Sequence, residues 1–66
     1  MKSPTEILLI EVTRFLKRTG MATTTLGSSA IGDPNLVRNL REGRELRHST
    51  LMKVKAFMDT SERESA

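Results

Sequence analysis

Planar polar side chains cluster near the middle of the 66-residue sequence, at Asn35, Arg38 and Asn39. An arginine can form two parallel hydrogen bonds with the edge of guanine, and an asparagine can do the same with adenine. Residues three and four positions after Asn35 lie on the next turn of a helix, so the three side chains share one region of its surface. They are therefore the candidates for contact with the edges of nucleic-acid bases.

Hydroxyl-bearing and basic residues flank this group in the sequence. Hydroxyl groups suit phosphate oxygens as hydrogen-bond partners, and arginines add an electrostatic attraction. The predicted contacts with the phosphate backbone are Thr23, Thr24, Ser28, Ser29, Arg41, Arg44 and Arg47. An ordinary role is an equally good interpretation for most of them: the hydroxyls suit helix caps and solvated loops, and Arg44 and Arg47 suit a solvated linker.

No site for catalysis, a cofactor or a metal ion is indicated by the sequence. It contains no Cys and a single His, His48, so the usual metal ligands are missing. No carboxylate pair accompanies His48 in an interpretable way, and there is neither a nucleophile elbow nor a phosphate-binding glycine loop. We therefore expect a protein that is not an enzyme and that uses no cofactor, metal ion or small-molecule substrate.

The charge balance permits an acidic partner without identifying one. Eleven Lys and Arg residues and eight Asp and Glu residues give a formal net charge of +3, which is ordinary for a small protein. The longest uncharged apolar run, residues 7–10, is far shorter than a membrane span, and acidic residues flank it, unlike in a signal peptide. We expect a cytoplasmic protein that does not bind membranes.

Helix signals are frequent and strand signals are scarce, so an all-α fold is predicted. Ser3 and Glu6 form a capping box, and Pro4 suits the first helical position between them. Gly20 favours a left-handed end after a run of apolar residues at helical spacing. The first helix is therefore predicted over residues 4–19.

The third predicted helix carries the candidate base contacts. Asp33 is its predicted cap and Pro34 its first residue, since proline lacks only an N–H that would be unpaired there. Gly43 is the predicted stop, so the helix covers about residues 34–42. Its apolar positions are Leu36, Val37 and Leu40.

Two further helices complete the predicted fold of four to five helices. A short second helix is expected within residues 22–31, with Thr23 or Thr24 as its cap. The fourth opens at His48 or Ser49, after the linker that carries Arg44 and Arg47. Its apolar side consists of Leu51, Val54, Phe57 and Met58. The domain is predicted to span residues 1–59, followed by a flexible tail over residues 60–66.

A small residue is placed where the second and third helices would cross. Gly27 lies ten residues before Val37 and thirteen before Leu40, which is the spacing that a close crossing of two helices requires. At about 100° per residue, Asn35, Arg38 and Glu42 lie opposite the apolar side of the third helix, with Asn39 and Arg41 on its flanks. A helix-turn-helix over about residues 22–43 is therefore predicted, with base contacts on the outer face.

The middle of the chain resembles a known protein family. Residues 26–44, LGSSAIGDPNLVRNLREGR, are similar to the core Leu-Gly-x-x-Ala-Ile/Val-x-Asp-Pro-x-Leu-Val-x-x-Leu-x-x-Gly-Arg of lambda-repressor/Cro-like helix-turn-helix regulators, especially short bacterial and phage-type proteins. The similarity covers about residues 22–58. It implies a compact, lambda-repressor-like all-α domain, usually dimeric, that binds operator DNA and regulates transcription.

One position departs from that pattern. Such proteins commonly have glycine at the first turn position, where this chain has Ile31, and Gly32 follows one place later. A shift of the register by one residue would bury Arg38 and Arg41, and burial of unpaired arginines is far less favourable than an unusual turn. The apolar register is therefore predicted to hold, with a modified turn.

The leading functional hypothesis is a homodimeric regulator, most simply a repressor, that binds double-stranded DNA. The alternative is a helical protein-interaction module, such as an antiactivator or adaptor, that keeps the helix-turn-helix shape. Glu42 favours the alternative because its carboxylate repels phosphates unless Arg38 neutralises it. A simpler interpretation is that Arg38 and Glu42 form an ordinary ion pair on the helix surface.

The surface that joins the two copies of the dimer is expected on residues 8–10 or on a spare apolar position of the fourth helix.

Overall fold

A computed structural model of the chain describes residues 2–65, and every regular element in that range is a helix. The elements are α1 (Pro4–Thr19), α2 (Thr23–Ile31), α3 (Leu36–Arg41) and α4 (His48–Ser65). Helix α2 packs against α3 and α4, and α1 packs against the same two helices. The predicted all-α class and the number of helices are confirmed.

Helix α1 has the bounds that its sequence predicts. The backbone N–H of Glu6 donates to the Ser3 hydroxyl over 3.2 Å, and Pro4 occupies the first turn. At the other end Gly20 adopts a left-handed conformation with φ 73°, and its N–H donates to the Leu16 carbonyl over 2.9 Å. Both ends of α1 are thus closed by residues adjacent to it in sequence.

The start of α2 corrects one prediction. The cap position belongs to Ala22, and no side chain accepts a hydrogen bond there, so the predicted capping by Thr23 or Thr24 is wrong. The helix continues through Ile31 and ends at Gly32, which has φ 72°. Because Gly32 takes the left-handed position itself, Ile31 stays helical, and the turn is modified as predicted.

Helix α3 has only six residues, fewer than the predicted span of residues 34–42. The side chain of Asp33 accepts a hydrogen bond from the Asn35 N–H over 2.9 Å, and the Asp33 carbonyl accepts one from the Leu36 N–H over 3.2 Å. Asp33 therefore caps a tight turn, and Pro34 and Asn35 lie in that turn, not in the helix. The placement of Pro34 as the first helical residue is wrong.

The end of α3 agrees with the predicted stop at Gly43. This glycine has φ 86°, and its N–H donates to the Leu40 carbonyl over 3.1 Å. The next N–H, of Arg44, reaches back to the Asn39 carbonyl over 3.1 Å. These paired bonds are the Schellman arrangement, which satisfies the last carbonyls of a helix.

One apolar core joins all four helices. Its buried members are Leu8, Val12, Phe15, Leu16, Leu26, Leu36, Val37, Leu40, Leu51, Val54 and Met58. Phe57 is half-buried and meets Phe15 edge to face, with ring centroids 6.3 Å apart, a geometry that aromatic pairs favour. Burial of the three apolar positions of α3 confirms the predicted register and rejects the shifted one.

The segment between α3 and α4 is held by a contact distant in sequence. The N–H of Leu46 donates to the hydroxyl of Thr5 over 3.3 Å, and Thr5 is only 7% exposed. Helix α4 then opens at His48, one of the two predicted starts, and continues to Ser65. It passes the predicted domain boundary at residue 59, and flexibility of the last residues stays a prediction. In the described range no helix is both long and apolar enough to cross a membrane.

Candidate nucleic-acid interface

The contact between α2 and the start of α3 is closest at Gly27. A Cβ atom at this buried position would lie 2.1 Å from the carbonyl oxygen of Asp33 and 3.0 Å from the Cβ of Leu36. The Gly27 carbonyl in turn accepts a hydrogen bond from the Asp33 N–H over 3.1 Å. A small residue at the crossing is thus confirmed, and the atoms nearest to the added Cβ belong to Asp33 and Leu36.

The buried side of α3 fixes which residues face outward. Leu36, Val37 and Leu40 are at most 2% exposed, so rotation of this short helix about its axis would expose apolar surface. Asn35 and Arg38 are exposed, whereas Asn39 is half-buried on the flank. The sequence-derived geometry of the outer face therefore holds.

The three candidate base contacts have free hydrogen-bonding groups. Within residues 2–65, the side chains of Asn35, Arg38 and Asn39 make no hydrogen bond or ion pair. Asn39 is engaged through its backbone alone, which accepts the bond from Arg44. Planar donors and acceptors that their own protein leaves unpaired are available to an external partner.

Arg38 and Glu42 do not form the ion pair that an ordinary surface helix would have at these positions. Both are exposed, and the ion pairs in the described part of the chain are Arg18–Glu62 and Arg63–Asp59. Glu42 is the residue at the C-terminal cap of α3. Its carboxylate is therefore a free negative charge on the same helix as Arg38, and it acts against an approaching phosphate.

Helix α2 presents hydroxyl groups and no charge. Thr24, Ser28 and Ser29 are exposed and Thr23 is half-buried, and the sequence TTTLGSSAI contains no ionisable side chain. Among the described residues its first turn has no side-chain cap, which leaves the N–H groups there without a side-chain acceptor. This combination of hydroxyls and uncapped N–H groups is compatible with phosphate contact.

The remaining predicted phosphate contacts follow the outer face of α3 along the chain. Arg41 lies on α3, while Arg44 and Arg47 lie in the segment before α4, and all three are exposed. None has an ion-pair partner within the described residues. The backbone beside them is held by the bond from Arg44 to Asn39 and by the bond from Leu46 to Thr5.

Thr5 supports the candidate interface, and nothing in the sequence around it predicts that role. Its hydroxyl accepts the Leu46 N–H from a segment 41 residues away, and so it helps to hold the backbone between Arg44 and Arg47. No local pattern marks such a residue, because a threonine in the first turn of a helix is ordinary until the tertiary partner is known. A buried hydroxyl with a backbone donor is the expected arrangement for a polar group in this position.

Comparisons of the chain with protein-family models, with curated proteins and with solved structures found no match. Support for the candidate interface therefore comes from this chain alone. It consists of the close contact between α2 and α3 at Gly27 and of the exposed, unpaired side chains of Asn35 and Arg38.

Proposed function

We propose that this chain is a sequence-specific regulator of transcription that binds double-stranded DNA, of the lambda-repressor/Cro-like type that residues 26–44 resemble. Residues 34–42 enter the major groove, and Asn35, Arg38 and Asn39 contact base edges. In a helix-turn-helix the N-terminal part of the second helix is the part that reads the bases. Asn35, in the turn before α3, and Arg38, within its first turn, occupy that position.

The observation that carries the proposal is the contact at Gly27. It brings the start of α3 so close to α2 that even a methyl group would clash with the Asp33 carbonyl. The angle of α3 is therefore fixed by backbone contact, while the exposed Asn35 and Arg38 keep their hydrogen-bonding groups unpaired. A rigid helix with free planar donors is what direct reading of bases requires.

The proposed regulator acts as a homodimer. One α3 reaches few base pairs, so a single copy binds weakly, and two copies related by a two-fold axis double the contacts. Half-sites would then lie about 34 Å apart, one turn of the double helix. Repression by occlusion of the polymerase is the simplest mechanism for such a protein.

The test is selection of binding sites from random duplex DNA, followed by a salt titration of the selected sequence. The expected result is one two-fold-related motif. The logarithm of affinity should fall linearly with the logarithm of salt concentration, with a slope of about −0.9 for each neutralised phosphate. A chain that enriches no motif and shows no salt dependence is not a DNA-binding regulator.

Single substitutions separate base contacts from phosphate contacts. Arg38→Ala should weaken binding by about 1–3 kcal/mol and relax one base position, whereas Arg44→Ala should weaken all sequences equally and reduce the salt slope by about 1. Arg63→Ala is the matched control, because Arg63 is 80% exposed in the last turn of α4 and is not among the proposed DNA contacts. Unchanged binding by Arg38→Ala would contradict the proposed register of α3.

A second candidate function is supported by Glu42. Its exposed and unpaired carboxylate suits a helical protein-interaction module, such as an antiactivator or adaptor, better than a surface that meets phosphates. Glu42→Gln distinguishes the two functions. It should strengthen binding to all duplexes without sharpening the motif if the chain binds DNA, whereas an interaction module would gain no affinity for any duplex.

A further inference from the structure

A groove with charged rims runs between α1 and α4, and none of its lining residues belongs to the proposed DNA-binding surface. Its apolar floor includes Phe15 and Met58. Phe15 meets Phe57, and Arg18, farther along α1, forms an ion pair with Glu62, farther along α4. The two helices therefore run side by side in the same direction. The charged side chains on the rims are Glu11, Arg14 and Arg18 from α1, and Lys55, Asp59 and Glu62 from α4.

The charges on the two rims are opposite in sign at every level. Arg18 pairs with Glu62, and this pair sets the register of the two helices. One turn back, Arg14 lies level with Asp59, and a further turn back Glu11 lies level with Lys55. The order on α1 is negative, positive, positive, and on α4 it is positive, negative, negative. Among the described residues the Arg18–Glu62 pair alone is formed across the groove, since Asp59 pairs with Arg63 over 3.2 Å. Glu11, Arg14 and Lys55 have no ion-pair partner there.

Two exposed apolar side chains extend the same face. Ile7 is 44% and Met52 is 48% exposed, and they are the exposed large hydrophobic residues of the described range. Ile7 lies one helical turn before Glu11, and Met52 lies three residues before Lys55. The helical register therefore places them at the same end of the groove, one on each helix. Single exposed hydrophobic residues are common, and these two are notable because the register places both at one end of the groove.

We propose that a second copy of this chain docks on this face, with a two-fold axis that runs along the groove. Such an axis lays α1 of each copy over α4 of the other, with the helices still parallel. Because the two rims have opposite signs, every charge then meets an opposite charge, and Glu11 of one copy faces Lys55 of the other. Ile7 meets Met52 in the same way, and each contact occurs twice, as in any interface of this symmetry.

The small area of this face indicates that the two copies associate weakly. Helix α1 has 16 residues, or about 24 Å at 1.5 Å per residue, and two helices abreast are about 20 Å wide. The resulting footprint of roughly 480 Å² is below the 800 Å² per partner of a standard interface. We therefore expect a weak dimer that forms reversibly. Its biological role rests on the proposed function, because DNA with two half-sites would hold two weakly associated copies together.

The test is sedimentation equilibrium of the full chain without DNA, up to about 1 mM. The wild type should associate reversibly. Glu11→Lys and Lys55→Glu should each weaken association about tenfold or more, because each places two pairs of like charges in the interface. An equimolar mixture of the two variants should restore it. In the mixed dimer the introduced lysine faces the introduced glutamate, and the two native residues face each other.

The mixing step excludes an effect within one copy. If the six charges served only to hold α1 against α4, both variants would remain defective when mixed, and that result would overturn the proposal. Lys53→Glu is the matched control: it makes the same change in charge on α4 at an exposed residue outside the groove, and it should leave association unchanged. Met52→Gln, at a site already exposed, should weaken association without affecting the fold.

A wild type that stays monomeric at the highest concentration would also overturn the proposal. The two hypotheses fail separately because this experiment contains no DNA. If the chain is monomeric and still selects a DNA motif, the proposed docking surface is wrong and the proposed DNA-binding function stands. If the chain dimerises as expected but selects no motif, the docking surface stands and the DNA-binding function is wrong.

Discussion

Helix α1 closes both of its ends with neighbouring residues, whereas α2 begins after Ala22 without any side-chain cap. The lengths differ in the same sense: α1 has 16 residues, α2 has nine and α3 has six. Isolated helices shorter than about 12–15 residues are marginal in water. The α2–α3 pair therefore depends on packing to a degree that α1 does not.

The closest contact within the α2–α3 pair lies at Gly27. Gly27 touches the Asp33 carbonyl and the Cβ of Leu36, and the side of α3 above that contact is almost completely buried. A helix that is positioned in this way keeps its angle only while the contact stays intact. The surface proposed to read DNA is thus the part of the molecule with the least local support.

The largest effect is expected from Gly27→Ala. The added Cβ would lie 2.1 Å from a backbone oxygen, so α2 and the turn before α3 must move apart. Overpacking typically destabilises proteins by about 1–3 kcal/mol, and we expect the upper end because the clash is with a backbone atom. The measurement is equilibrium unfolding in urea, monitored by circular dichroism. A variant as stable as the wild type would show that the α2–α3 contact is not tight.

Gly20→Ala is the matched control for that substitution. Gly20 has φ 73°, but no atom lies within 4 Å of the place that an added Cβ would occupy, so the change adds backbone strain without a clash. The expected loss of stability is about 1 kcal/mol. A loss equal to that of Gly27→Ala would contradict a tight contact at Gly27, because Gly27 does not share the positive φ of Gly20.

A smaller effect is expected at the caps, and it should differ between the two regions. Ser3→Ala removes the acceptor of the Glu6 N–H and should destabilise the fold by about 1 kcal/mol. Thr23→Ala should change stability by less than about 0.5 kcal/mol, because no side chain caps α2. Thermal unfolding of both variants measures the difference. Equal losses would contradict the uncapped start of α2.

The smallest effect is expected for the ion pair between Arg18 and Glu62. Their side chains are 60% and 48% exposed, and pairs exposed to this degree contribute about 0.5 kcal/mol or less because water and salt screen them. A double-mutant cycle of Arg18→Ala and Glu62→Ala measures the coupling. A coupling above about 1 kcal/mol, or one unaffected by salt, would show that the end of α4 is held more firmly than its exposure suggests.

The predictions that hold rest on several agreeing signals, and those that fail rest on residue type or on one of two possible uses of a residue. The bounds of α1 follow from Ser3, Pro4 and Gly20, all within a few residues of the ends that they define. The capping of α2 by Thr23 or Thr24 was predicted from residue type alone, and it fails. The length of α3 fails as well, because Asp33 uses its side chain and carbonyl to form a turn that delays the helix.

The exposed face of α3 was predictable from the sequence, and the contacts that support it were not. Helical periodicity alone places Asn35 and Arg38 opposite Leu36, Val37 and Leu40, and burial confirms that arrangement. The sequence also marks Gly27 as the small residue of the crossing. It does not show that Thr5 holds the following segment, since that bond joins residues 41 positions apart.

By itself, the sequence determined the helical class, the ends of α1 and the inner and outer faces of α3, because caps and periodicity act within one or two turns. The tertiary structure decided the contact partners of Gly27, the turn at Pro34 and the opposition of charges between α1 and α4. These features join residues that are distant in the chain or compete for the same backbone groups. Their outcome depends on how the helices pack, and no local pattern records that.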